Sequence, residues 1–269
     1  MAASPDSQRT DRPMTPLLAG MWTLALIFLQ ILCVSMTESA RPGAADDLVS
    51  QTACVVLATS LVIFAMVRLH AREVSLRTTL GVAPVAPLHL ILSIAAGAGL
   101  YPLLSTADDW VVHRWPYSPE EQQSLEHLFT APTLASRVVL VLAAFVALPL
   151  ARELFFRGIV FGEVLRTRGV GVAMVVSAVF FTASNFEWRT IPTTLMLGLA
   201  LARLRDRTGT VLASAAAHLA FYAVPSVLLL KGWDMNTDFV FATRWIVGGA
   251  VIALLALVAV GAGRGEEEE

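Results

Sequence analysis

Apolar residues run through this chain in blocks of about twenty, the length of helix that crosses a bilayer's hydrocarbon core. The blocks fall at about 16–36, 50–68, 84–104, 134–165, 170–187, 190–205, 209–230 and 242–262, with short polar stretches between them. They predict an all-α fold, a polytopic membrane helical bundle of about eight transmembrane helices. The first block, Pro16 to Met36, is longer than the apolar part of a secretory signal. The "TESARPG" after it puts Glu38 where a cleavage site wants a small residue, so it reads as an uncleaved span.

Composition strengthens this picture. The chain has 269 residues, 56% of them hydrophobic and 15% charged, whereas a soluble domain is about a quarter charged. The net charge of −2 gives no basis for a nucleic-acid partner. The expected partners are the lipid bilayer and a membrane protein or peptide. Cys33 and Cys54 lie inside apolar blocks and read as buried thiols, with neither metal spacing nor a disulfide framework. No cofactor and no metal is expected.

Charge placement predicts orientation. Arg68, Arg72 and Arg77 share one loop, Arg166 and Arg168 a turn, and Arg203, Arg205 and Arg207 another. With eight spans these fall on one side together with both termini, while Glu38, Asp46, Asp47, Asp108, Asp109, Glu120, Glu121 and Glu126 fall opposite. Arginine-rich short loops stay cytoplasmic. Both termini are therefore expected in the cytoplasm, and Trp110, Trp115, Trp188 and Trp233 in a belt at the outer boundary.

The expected divisions are a cytoplasmic tail at 1–15, membrane helices and an outer amphipathic loop at 16–133, a core at 134–230, and a last span with an acidic tail at 231–269. In the loop, "SPEEQQSLEHLF" predicts a short helix with Ser118 as N-cap, Pro119 at the first position and acids in the first turn. It reads as a helix lying on the outer leaflet; the alternative is a lid or docking element.

Ionisable groups inside apolar blocks demand an explanation, since each costs roughly 2.5–3.5 kcal/mol at a helix centre on insertion scales. The densest group is "LARELFFRG", residues 150–158. Glu153 and Arg157, spaced i and i+4, face each other as a clamp. Arg152 points about 100° away and has no local partner in the sequence. Asn185, His218 and Ser214 are the other polar candidates. No zinc-binding H-E-x-x-H, no G-x-S-x-G, no G-x-G-D and no glycine-rich phosphate loop occurs, and Ser214/His218 is a weak nucleophile–base pair.

"ELFFRG" with the following "IVFGEVL", together with "LRDRTGTVLASAAAH", resembles the CPBP family (CAAX-protease and bacteriocin-processing, or Abi) of intramembrane glutamate endopeptidases. The similarity runs from about 134 to 230, making that stretch a CPBP-like core. The family motifs are E-E-x-x-x-R, F-x-x-x-H and H-x-x-x-N/D. By this resemblance the first Glu and the second-motif His activate water, and the third-motif His and Asn bind the oxyanion. Here those positions hold Arg152 for the Glu, Asn185 for the His and Tyr222 for the Asn, while Glu153, Arg157, Phe181 and His218 remain. Arg and Asn cannot act as a general base near neutral pH. The resemblance thus implies a pseudoprotease, an impaired hydrolase that binds a membrane protein or peptide in the old cleft. One alternative is an active, divergent endopeptidase using Glu153 and His218, helped by Ser214 or Tyr222. Another is an anion-binding transport or channel module built on Arg152. The inner membrane of a bacterium is the expected location.

Overall fold

Residues 14–70, 75–232 and 241–262 are described by a computed structural model, and no strand occurs among them. Arg72, Trp233 and most of both predicted tails lie outside the described residues. The helices are α1 (Pro16–Ala40), α2 (Leu48–His70), α3 (Leu76–Thr79), α4 (Pro87–Arg114), α5 (Pro119–Phe129), α6 (Leu134–Arg168), α7 (Val170–Ala183), α8 (Ile191–Thr208), α9 (Val211–Phe221), α10 (Ala223–Leu230) and α11 (Thr243–Ala262).

Five of these, α1, α2, α4, α6 and α11, are long and apolar enough to cross a membrane. A sixth candidate is α9 with α10, which meet at a bend of 41°. The remaining two predicted blocks are also helical, but α7 has only 14 residues and α8 ends in a charged turn around Arg205, Asp206 and Arg207. The outward surface is apolar: Phe28 and Leu254 are 68% and 63% exposed. Contiguous exposed apolar surface of this kind fits lipid better than water.

Local chemistry sets the helix boundaries. Thr15 caps α1, accepting from the Leu18 N–H at 3.2 Å, with Pro16 at the first position. Gly209, at φ 68°, ends α8 in the left-handed conformation that favours glycine. Thr210 then caps α9 by accepting from Leu212 N–H. Its buried hydroxyl also donates to Ala83 O at 2.8 Å, joining the α3–α4 connection to the start of α9.

The predicted 134–165 span is continuous but not uniform. Two π-helical stretches, Val141–Ala147 and Leu154–Val160, interrupt α6 on either side of Leu148–Glu153. Pro149 accounts for the first: it has no N–H to offer Phe145 O, and its ring crowds the preceding turn. The ladder widens there, with Leu148 N–H bonding to Ala143 O, five residues back. The second stretch closes in the same way, from Phe161 N–H to Phe156 O.

Packing joins α6 to the other helices. Phe155, Phe156, Ile159 and Phe161 are buried against Leu26 of α1, Ala58, Val62 and Met66 of α2, and Phe181 of α7. On the other side, small residues let α4 approach α9 and α11 backbone to backbone, as membrane helices often do. A Cβ on Gly97 would strike Ala217 O, and one on Gly99 would lie 2.6 Å from Gly249 O.

The two ends of the bundle differ in charge. At one end Thr167 donates to Met14 O (2.9 Å), Val211 N–H to Gly81 O (3.0 Å) and Arg205 Nε to Arg157 O (3.2 Å), among the arginine-bearing turns. At the other end Trp110, Trp115 and Trp188 form an edge-to-face series. There α5, whose predicted N-cap Ser118 forms a capping box with Glu121, has no fully buried residue, and Leu125, Leu128 and Phe129 are partly covered. It is held to the bundle by Arg189, whose Nη2 lies 3.1 Å from Glu121 Oε2 and whose Nε donates to Trp115 O.

Candidate functional site

The residues singled out in the sequence converge where α6, α7 and α9 meet. Glu153, Arg157 and His218 form the buried centre, with side-chain exposures of 0%, 0% and 1%. Glu153 Oε1 lies 3.1 Å from Arg157 Nη1, the i,i+4 pair read from the sequence. The same oxygen lies 2.9 Å from His218 Nδ1, a partner 65 residues away. Arg157 is fixed further by donating Nη2 to Gly198 O at 2.9 Å and by sitting 4.3 Å above the Phe181 ring. The His218 contact to the carboxylate and the cation–π contact of Arg157 lower the cost of burying these charges. Glu153 Oε2 has no hydrogen-bond partner among the described residues.

Ser214 bonds within α9. Its hydroxyl donates to Val211 O at 3.0 Å, within its own helix. A mid-helix serine returning its hydroxyl to a preceding carbonyl is a common alternative to a side-chain partner. Tyr222 stacks on His218, with centroids 5.5 Å apart, and Phe145 stacks on Tyr222 at 5.3 Å. Phe181 meets His218 edge to face at 5.7 Å.

Arg152 finds its partner on another element. It has no partner in its own helix, but Arg152 Nη1 donates to Asn185 Oδ1. Asn185 lies just after α7, and the next residue, Phe186, has φ 57°, a conformation rare for a bulky side chain. The Arg152 guanidinium also lies 5.9 Å from the Phe181 centroid, so both arginines approach this ring. Glu163, on the same face as Arg152 in the sequence, pairs instead with Arg166 at 3.1 Å. Cys33 is only half-buried, because α1 lies at the edge of the bundle, whereas Cys54 is buried; both are free thiols.

Two cavities meet at Asn185. One, of about 330 Å³, lies between α1, α2 and the Arg152 side of α6. The other, of about 310 Å³, is bounded by Asp108, Asp109, Tyr101 and Tyr222. Glu153 and His218 line neither. No third His, Cys, Asp or Glu joins them as a metal site would require among the described residues. Sequence reading missed Gln30, Gln51 and Thr52, which line the first cavity. The signal was available, since each is a polar residue in or beside an apolar block.

Comparison with known families adds an independent match. Residues 134–224, from α6 to the first turn of α10, match the family described as type II CAAX prenyl endopeptidase Rce1-like. This segment is similar to the CAAX-protease family. No curated protein and no solved structure matches the chain. The α6–α9 site therefore lies wholly within the family region, and Arg152, Asn185 and Tyr222 stand inside it.

Proposed function

We propose that this membrane protein keeps the CAAX-protease scaffold as a binding site and has lost its peptidase chemistry. The observation that carries the reading is the Arg152–Asn185 hydrogen bond. By the motif alignment, these are the two positions whose Glu and His would activate water. Here a guanidinium donates to an amide oxygen, and neither group can take up a proton near neutral pH. Glu153, the carboxylate one residue away, is already shared by Arg157 and His218. The binding partner is a membrane protein or peptide reaching the cavities beside Asn185. The arginine-bearing turns at one end support cytoplasmic termini and placement in an inner membrane.

The test uses the purified full chain in liposomes with a prenylated peptide ending in a C-a-a-X sequence. No turnover is expected. Turnover that disappears in Glu153→Ala overturns the reading.

A second reading, an endopeptidase working through Glu153 and His218, is favoured by their 2.9 Å contact and by the unbonded Glu153 Oε2. Under it, Glu153→Gln and His218→Ala each abolish cleavage in folded protein. Their complete burial, away from both cavities, weighs against a water or a peptide reaching them.

A further inference from the structure

The cavity between α1, α2 and α6 has the construction of a ligand site. Its wall carries the Arg152 guanidinium, half-buried and bonded to one neutral oxygen. No carboxylate lies within ion-pair distance of it among the described residues, unlike Arg157, Arg166 and Arg189. Thr52, 3% exposed, also lines the cavity, and its buried hydroxyl has no hydrogen-bond partner among the described residues. A cation without counter-charge and an unsatisfied hydroxyl on the wall of one cavity are a costly arrangement where water is scarce. An anionic group accepting from both would relieve it.

The rest of the wall indicates what carries that anion. Ile31 and Phe186 stand at the edge of the cavity and are 52% and 63% exposed on the apolar outer surface. The opening therefore faces the hydrocarbon region sideways. Leu48, Gln51 and Thr52 come from the first turns of α2, next to the loop that joins it to α1. That places the cavity near one face of the bilayer, where lipid headgroups meet their chains. Its volume of about 330 Å³ holds a headgroup and the first part of one chain.

We infer that this cavity binds an anionic single-chain amphiphile from the bilayer, with its carboxylate or phosphate on Arg152 and Thr52 and its chain leaving between Ile31 and Phe186. This deepens the binding reading above, because it rests on Arg152 being a ligand-binding cation in place of a water-activating carboxylate. The Arg152–Asn185 bond then serves to orient the guanidinium.

Equilibrium binding to the detergent-purified full chain tests it, with radiolabelled oleate and oleoyl lysophosphatidic acid as the two headgroup chemistries. Oleoyl lysophosphatidylcholine and inorganic phosphate are the controls. The expected result is saturable binding of one or both anions, about ten- to a hundredfold weaker in Arg152→Gln, since hydrogen bonds to a charged group carry that much. Thr52→Val weakens binding by less. Inorganic phosphate alone does not bind, because the chain contacts are missing. Preference for oleate or for the phosphate identifies the headgroup. Equal binding of the zwitterionic control, or unchanged binding in folded Arg152→Gln, overturns the proposal. If Arg152→Gln does not fold, Ile31→Trp closes the opening with Arg152 intact, and undiminished binding there overturns it equally. Binding of a prenylated peptide carboxylate with none of either anion rejects the lipid assignment. Peptide turnover in the same preparations, with anion binding intact, rejects the loss of peptidase chemistry and leaves this site standing.

Discussion

Arg152 of α6 donates a hydrogen bond to Asn185, 33 residues further on, at the end of α7. By the motif resemblance each residue alone departs from a protease motif, but together they form a pair. The changes at these two positions are thus structurally matched, and an isolated return of either one would break the match. The paired change Arg152→Glu with Asn185→His tests whether the scaffold still supports water activation. Turnover of a prenylated peptide is expected only in the double variant, with each single variant inactive. General acid–base catalysis would contribute about 10²- to 10⁴-fold over the single variants.

Asn185 also anchors a charge. Asn185→Ala removes the acceptor and is expected to lower stability by about 1.5–3 kcal/mol, the range for a hydrogen bond to a charged group. Asn185→Asp supplies a counter-charge instead. It should raise the thermal midpoint relative to Asn185→Ala and, by occupying Arg152, weaken the binding of anionic amphiphile. Thermal unfolding in detergent and the oleate assay check the two parts.

Glu153 and Arg157 form a buried pair at 3.1 Å that also holds His218. Removing one member leaves an uncompensated buried charge, at a cost of about 3–5 kcal/mol. Arg157→Met should therefore cut the yield of folded protein sharply. The double change Glu153→Leu, Arg157→Met should recover much of the loss, because neither charge then needs a partner. Size-exclusion profiles of heated samples give the measurement. A double variant as unstable as Arg157→Met would show that the pair is not what the site depends on.

Gly97 lies where α4 meets α9, and a Cβ there would strike Ala217 O. Gly97→Val should displace one helix and lower stability by at least the 1–3 kcal/mol or so typical of overpacking. Gly248→Ala is the matched control, because a Cβ at Gly248 meets nothing within 4 Å. Its thermal midpoint should match that of the parent.

The α5 helix is held by the contact between Glu121 and Arg189, outside the spans. The Ser118 backbone N–H and then the Arg189 guanidinium draw the Glu121 carboxyl below its ordinary range. A lowered folded value means the ionised form stabilises the docked helix above the unfolded carboxyl value, about 4.3 for Glu. That stabilisation fades as pH falls through the folded value. Amide exchange in residues 119–129 should accelerate as pH falls below about 4.3, the unfolded Glu value, relative to α4 and beyond the intrinsic change with pH. Glu121→Gln should exchange faster already at neutral pH and lose most of this dependence.

Much of the fold was legible because its causes are local. An apolar run of about twenty residues carries its own reason to be a membrane helix. The i,i+4 spacing of Glu153 and Arg157 sets their meeting on one helix, and Ser118 with Glu121 specifies a capping box within four residues. The breaks in α6 were less legible. Pro149 is visible in the sequence, but whether a helix answers a proline by kinking or by widening depends on what packs against it.

The sequence by itself determined that charged and polar groups sit inside apolar helical blocks, Arg152, Glu153, Arg157, Asn185 and His218 among them. The tertiary structure alone decided which of those groups meet. Arg152 and Asn185, Glu153 and His218, and Arg157 and the Gly198 carbonyl are separated by 33, 65 and 41 residues. Such pairings depend on how α6, α7, α8 and α9 cross. Those crossings are fixed by side-chain volumes and close backbone contacts summed over the whole bundle, which no single stretch of sequence contains.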